Sequence, residues 1–235
     1  MRTSGELRQV GEGAAPAPAR PPIAGLLAWA GILGPVLFTV AFIVQGLFRP
    51  GYSHLAEPVS ALTAGPTGWV QQVNFMVFGP LMIAYAIGLH LGLRRARWGL
   101  VGPALLVLSG VGLVLAGVFP ARDASGAFSV GPGHAVAAVT SFLSAGVGLI
   151  VISRRMARDP SWRGLAAYAL VSGIAIIVLF LATGRLAVPD DAPLHGWGGL
   201  LQRVTVAVWF PCTIVLALRL RRVARPASDQ LVRQP

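Results

Sequence analysis

Residues 23–48 read IAGLLAWAGILGPVLFTVAFIVQGLF, 26 apolar or weakly polar residues without a single charge. A bilayer core needs about 20 such residues in a helix, whereas the apolar core of a secretory signal has only about 7–15. No small-residue cleavage site follows, only RPGYSH at 49–54. The stretch therefore predicts an uncleaved first membrane helix, and it sets the reading of everything beyond it. Five more apolar runs lie at about 69–93, 98–119, 134–153, 164–184 and 197–219. Backbone groups in hydrocarbon must be satisfied within the segment, so these runs are helices; the alternating pattern of a membrane barrel is absent. The predicted fold is all-α, a polytopic bundle of six transmembrane helices over 23–220. A disordered tail, 1–22, precedes it and a basic tail, 221–235, follows it.

Composition agrees with that reading. Of 235 residues 55% are hydrophobic and 11% charged, against roughly 25% charged in a soluble domain. A net charge of +11 invites a nucleic-acid reading. The distribution excludes it, because the basic residues, all arginine, sit in short clusters between long apolar runs. Cys212 is the only cysteine, so no intrachain disulfide can form.

Arginine placement sets the orientation. Fifteen of the nineteen fall in the N-terminal stretch, RRAR (94–97), RRMARDPSWR (154–163) and the C-terminal stretch. Only Arg49, Arg122, Arg185 and Arg203 fall at the opposite helix ends. Both termini are expected in the cytoplasm of a multi-pass plasma-membrane protein. GILGP (31–35) and GLVGP (99–103) share the form G-x-x-G-P, and RR-initiated strings precede helices 3 and 5. The chain can thus be read as three helical hairpins in parallel orientation.

The outward end carries three of the four histidines, His54, His134 and His195, with Glu57, Asp123, Asp190 and Asp191. Loop charges of this kind can simply pair with one another at a surface. Three features ask for more. Arg203 lies about six residues into helix 6 beside Gln202, where an unpaired charge costs about 2.5–3.5 kcal/mol at the membrane centre and less near the interface. Gln71 and Asn74 share a helix face at i, i+3 spacing. His134 opens helix 4, with Ser141 two turns along the same face. These groups can bond between helices or contact a ligand.

Other chemistries fit poorly. No H-E-x-x-H or C-x-x-C string exists, and the outer histidines belong to different connections, so no metal is expected. His90 is at the opposite end from the other histidines, against a bis-histidine haem, and no cofactor is expected. Ser53 and Ser60 lack a G-x-S-x-G setting. Every acid lies in a loop or tail, against proton-coupled transport.

The strings GPVLF (34–38), RPGYSH (49–54), PVSALTAGPTGWVQQVNF (58–75), GPGH (131–134) and GLLQR (199–203) carry a family resemblance over about 25–220. The chain resembles the bacterial and archaeal membrane proteins grouped as "domain of unknown function 998". Between helices 1 and 2 it is also loosely similar to the Frag1/DRAM/Sfk1-like proteins. The resemblance implies six helices and importance for RPGYSH, Gln71, Asn74, His134 and Arg203; it supplies no substrate.

The reading that results is a polar pocket at the outer boundary for a lipid headgroup or small anion, built from Arg49, Tyr52, His54, Glu57, Ser60, Gln71, Asn74, His134, Gln202 and Arg203. Arg203 and Arg49 supply charge; Gln71, Asn74 and His134 supply directed hydrogen bonds. Two alternatives stand beside it. One is a lipid-modifying enzyme with His134 or His54 as general base and Glu57 as partner. The other is a structural subunit packed on a second membrane protein. Membrane lipids are the expected partners, and nucleic acid is not. Two structural expectations follow. The segment from RPGYSH to Pro66 folds back onto the bundle, and Arg203 points inward to polar groups of helix 2 or of the loop after helix 1.

Overall fold

The structure, a computed structural model, describes residues 20–93, 96, 98–187 and 191–224. Arg94, Arg95, Arg97, Asp190 and most of both expected tails lie outside the described residues. The described elements are α1 (Pro22–Leu27), α2 (Ala30–Phe48), α3 (Gly68–Gly92), α4 (Val101–Val118), α5 (Pro132–Ala157), α6 (Ala166–Leu186) and α7 (Gly198–Val223). Among the described residues there is no strand, only an isolated bridge between Arg122 and Phe128. With α1 and α2 as one span, Pro22–Phe48, six segments are long and apolar enough to cross a bilayer. The protein is a multi-pass integral membrane protein.

Helix boundaries depart from the sequence expectation in three places. The first span tightens at Trp29, where Trp29 N–H bonds Leu26 O and Ile32 N–H bonds Trp29 O, both at 3.0 Å and both i to i−3. The fourth and sixth spans run on past their apolar stretches, through Arg154–Ala157 and to Val223. Arginine is a good helix former, and at a helix C-terminus its charge is favoured by the unpaired carbonyls. The third span begins at Val101 rather than 98, because Trp98 takes φ +63° in the turn before it. The interior prolines Pro35, Pro80 and Pro211 all stay within helices.

Lipid tails are as apolar as leucine, so helices in a membrane associate by close packing and internal hydrogen bonds. Glycine supplies the close packing between consecutive helices. A Cβ built on Gly79 of α3 would lie 2.6 Å from Gly110 O of α4, and one on Gly110 would lie 2.7 Å from Gly79 O. Gly102 and Gly148 face each other in the same way across α4 and α5, each Cβ 3.2 Å from the other's carbonyl. Gly146 and Gly173 repeat the device across α5 and α6, at 2.8 and 2.6 Å.

The two ends of the bundle differ. At the end carrying the described chain ends, Arg155 in the last turn of α5 is buried. Its guanidinium donates to Leu93 O at 2.7 Å, Gly99 O at 2.8 Å and His90 O at 3.2 Å. These carbonyls lie at the end of α3 and the start of the next turn, where no helical N–H reaches them. Arg20 pairs with the buried Asp159 at 3.0 Å, and Arg219 Nε donates to Ser161 O at 2.6 Å. Arg221 stacks on Trp29 at 3.7 Å. The opposite end holds the long connection after α2, residues 49–67, and the connection from 119 to 131.

Candidate ligand-binding site

The connection after α2 folds back over the bundle as expected, as a plug that includes the 3-10 turn Val59–Thr63, buried throughout. Irregular backbone at membrane depth is tolerated only where protein satisfies it. Here side chains do so. Gln45 of α2 donates to Leu62 O at 3.0 Å and Thr67 O at 2.9 Å. Arg49 donates to Ala61 O at 2.6 Å. Gln202 Oε1 accepts from Val59 N–H at 2.6 Å.

Arg203 points inward, and its polar contacts are with the plug and with its own helix. One terminal nitrogen donates to His54 O at 2.7 Å, Glu57 O at 3.0 Å and Gly199 O at 2.9 Å. The other donates to the Tyr52 hydroxyl at 2.7 Å and to His54 Nδ1 at 3.2 Å. Because arginine has only donors, His54 Nδ1 accepts and its proton lies on Nε2. The start of α7 completes the contact, with Gly199 N–H on Ala56 O at 3.0 Å and Leu200 N–H on Leu55 O at 2.9 Å. A Cβ on Gly199 would run into Glu57 O and lie 2.7 Å from His54 O. Tyr52 in turn donates to Pro58 O at 3.0 Å or Glu57 O at 3.2 Å. Burial pushes the Tyr52 phenol above its ordinary pKa, against the pull of Arg203, so it stays a donor at neutral pH.

The ten sequence-predicted residues therefore divide. Arg49, Tyr52, His54, Gln202 and Arg203 hold the plug, while the Glu57 carboxylate accepts from Ser53 N–H at 2.8 Å rather than meeting a histidine. Gln71 and Asn74 bond each other at 3.2 Å, and Asn74 donates to Phe38 O at 3.1 Å, tying α3 to α2. Of the ten, Ser60, His134 and Gln202 line a space with room in it.

That space is a chamber of about 40 Å³ beneath the plug, walled by the rings of Phe38, Phe75, Phe78, Phe142, Trp209 and Phe210. Phe38 lies 5.1 Å from both Phe75 and Phe78, ring to ring. Ser141 reaches the chamber with its hydroxyl buried and unpartnered. His134 is only 5% exposed. Its Nδ1 lies 2.7 Å from Phe119 O, and since a carbonyl only accepts, Nδ1 carries the proton. In the neutral ring Nε2 is then an acceptor, and the Ala116 carbonyl also meets the imidazole.

His134 also lines a second space, an open bowl of about 620 Å³ formed by the connection from Val118 to Gly133. Arg122 lines the bowl, exposed and with no side-chain partner among the described residues. The N-terminus of α5 lines it too, with no intrahelical acceptor for the N–H groups of Gly133 and His134. Asp123 is committed to its own turn, accepting from Ser125 Oγ at 2.6 Å, Ser125 N–H at 2.8 Å and Ala127 N–H at 3.1 Å. The Ser125 hydroxyl and then the backbone donors hold its carboxyl below the usual range. Two hydrogen bonds stitch plug to bowl, Ala121 N–H to Thr63 Oγ1 at 2.8 Å and Gly65 N–H to Gly126 O at 3.0 Å. Among the described residues no three histidine, cysteine or acidic side chains converge as metal ligands would.

Sequence reasoning passed over Gln45, whose signal was a lone amide in an apolar run, and left Arg122 among the loop charges. Neither a curated protein nor a solved structure matches the chain, and the looser similarity to the Frag1/DRAM/Sfk1-like proteins is without support. One family model does match, over residues 32–219, taking in the plug, the chamber, the bowl and Arg203. That model is described as "Protein of unknown function (DUF998)", and a match over so much of the chain makes this protein a member of the DUF998 family.

Proposed function

We propose that the protein binds the anionic headgroup of a membrane lipid in the bowl between α4 and α5, on the extracytoplasmic side of the plasma membrane. The carrying observation is that Arg122 and the N-terminus of α5 line one open space. A long helix concentrates positive potential and free N–H donors at its start, which suits a phosphate. Arg49 and Arg203 contribute differently from the sequence expectation. Their guanidiniums are engaged by carbonyls of the plug, whereas Arg122 is the arginine that lines the bowl. The plug residues then shape and close the site rather than touch the anion.

The arginine bias supports cytoplasmic termini. Cysteine labelling should report Gly65 and Ala192 outside and Ala96 and Ala157 inside; one reversal overturns the orientation. The binding itself is tested on purified full-length protein in a neutral detergent. Dioctanoyl phosphatidylethanol, a monoanion, should bind about tenfold more tightly than zwitterionic dioctanoyl phosphatidylcholine, and Arg122→Gln should remove the difference. Equal affinities in the parent protein overturn the proposal.

The enzyme alternative keeps one specific support. His134 has its Nδ1 fixed by a carbonyl, as in a general base oriented for use, and the residue lines the chamber that Ser141 also lines. Its mark would be slow turnover of a bound ester lipid, lost in His134→Gln while binding persists.

A further inference from the structure

The chamber beneath the plug has a donor and acceptor pattern that selects among headgroups. In the neutral ring His134 Nε2 is an acceptor, because Nδ1–H is spent on Phe119 O. The Gln202 amide oxygen is spent on Val59 N–H, which leaves its NH₂ as a donor with no partner among the described residues. The Ser141 hydroxyl, 2% exposed by residue, is unpartnered and can act either way. All three residues line the same 40 Å³. A water molecule needs about 10–15 Å³ on this kind of measure, so the chamber takes only a few heavy atoms.

The chemistry then narrows. A phosphate or carboxylate oxygen can only accept and leaves His134 Nε2 unanswered. An ammonium can only donate and leaves the Gln202 amide unanswered, and a trimethylammonium does neither. A hydroxyl does both, and a short carbon stem suits aromatic walls. His134 lines both bowl and chamber, so it is the residue that the two spaces share.

We infer that the lipid carries a hydroxylated headgroup, a phosphate diester of a small polyol, whose terminal hydroxyl enters the chamber between His134, Ser141 and Gln202. This rests on the headgroup reading above. It assigns two tasks to two spaces, with the anion held in the bowl and the hydroxyl identified in the chamber.

Charge-matched probes separate the two readings. On the full-length protein, dioctanoyl phosphatidylglycerol should bind about tenfold more tightly than dioctanoyl phosphatidylethanol, which has the same charge and no hydroxyl. Ser141→Ala and the chamber-filling Ser141→Val should bring that ratio toward one. Unchanged phosphatidylethanol binding in either variant shows that the fold and bowl are intact. Equal binding of the two lipids by the parent protein overturns the inference, with the chamber holding water only. A tenfold ratio that survives in both variants overturns it as well. The headgroup reading fails on a different comparison, phosphatidylethanol against phosphatidylcholine.

Discussion

Arg155 and Arg203 sit at opposite ends of the bundle and are solved by the same means. Each guanidinium donates to three backbone carbonyls: Leu93, Gly99 and His90 for Arg155; His54, Glu57 and Gly199 for Arg203. What they hold is different. Arg155 serves carbonyls that α3 leaves unpaired at its C-terminus, together with one in the turn before α4. Arg203 serves carbonyls of a segment whose regular structure is a single 3-10 turn and which stays folded because donors reach it from α2 and α7. One arginine finishes a helix, and the other gives a loop its shape. Stability should therefore answer mainly to the first, and the geometry of the chamber and its roof mainly to the second.

The largest effect separating the two belongs to Arg155→Leu. Removing the donors from buried carbonyls should cost about 3 kcal/mol of stability in detergent, seen as an earlier thermal transition, with lipid selectivity at the far end unchanged. A loss of selectivity equal to that of an Arg203 variant would erase the distinction. Next comes Arg203→Leu, expected to cost about 2 kcal/mol, since the site is only half-buried and water can reach some of the freed carbonyls. Its signature is local: faster amide exchange over the plug and the first turn of α7. Lysine should restore it only in part, lacking the planar fork that reaches several carbonyls and Tyr52 together. If Arg203→Leu retained parental stability, plug protection and lipid selectivity, the plug would owe nothing to it.

Gly199→Ala sharpens the comparison because it leaves both arginines in place. The new methyl group meets Glu57 O and His54 O, so the plug must lift or α7 must shift, at a cost of about 1–2 kcal/mol. Plug exchange should rise as in Arg203→Leu, and the α3 end should stay protected. The smallest effect concerns pH. The Asp123 carboxyl is held below its ordinary value in the folded turn, so the order it contributes is complete above the ordinary carboxylate range, about pH 4, and is lost as pH falls through the depressed value. Amide protection at Ala127 should fall on acidification while protection in the plug, held by arginine and amide groups, does not. An Asp123→Asn variant should be insensitive over the same range.

The six spans were legible because 26 uncharged residues in a row admit few solvents, and repetition of the pattern left little choice of fold. Arg203 was legible for the same reason, as a charge where the surroundings are apolar. Arg155 was not. It stands in a basic cluster that orientation alone explains, and only the ending of α3 beside it makes it a buried anchor. Gln71, Asn74 and His134 could be placed on helix faces by spacing, but whether such a group meets a partner helix or a cavity depends on crossings such as Gly79 on Gly110, which involve residues of no chemical distinction. Arg49 and Arg122 look alike in sequence. They part company because one lies under the carbonyl of Ala61 and the other on an exposed turn, a difference made by loop conformation.

The bond from Arg203 to His54 O joins residues 149 positions apart in the chain. Ribosomes add about 5–20 residues per second, so roughly 7–30 s separate the synthesis of the plug from that of the side chain that secures it. Throughout that interval the first five spans can be inserted, and α3 to α6 can close on one another through their glycines, while the carbonyls of His54 and Glu57 lack the donors they finally receive. The sixth span is thus the one that locks the connection after the first span. A nascent or truncated chain without α7 would expose an unsealed roof over the chamber, which marks it as incomplete to any quality-control factor that recognises unsatisfied backbone within the membrane.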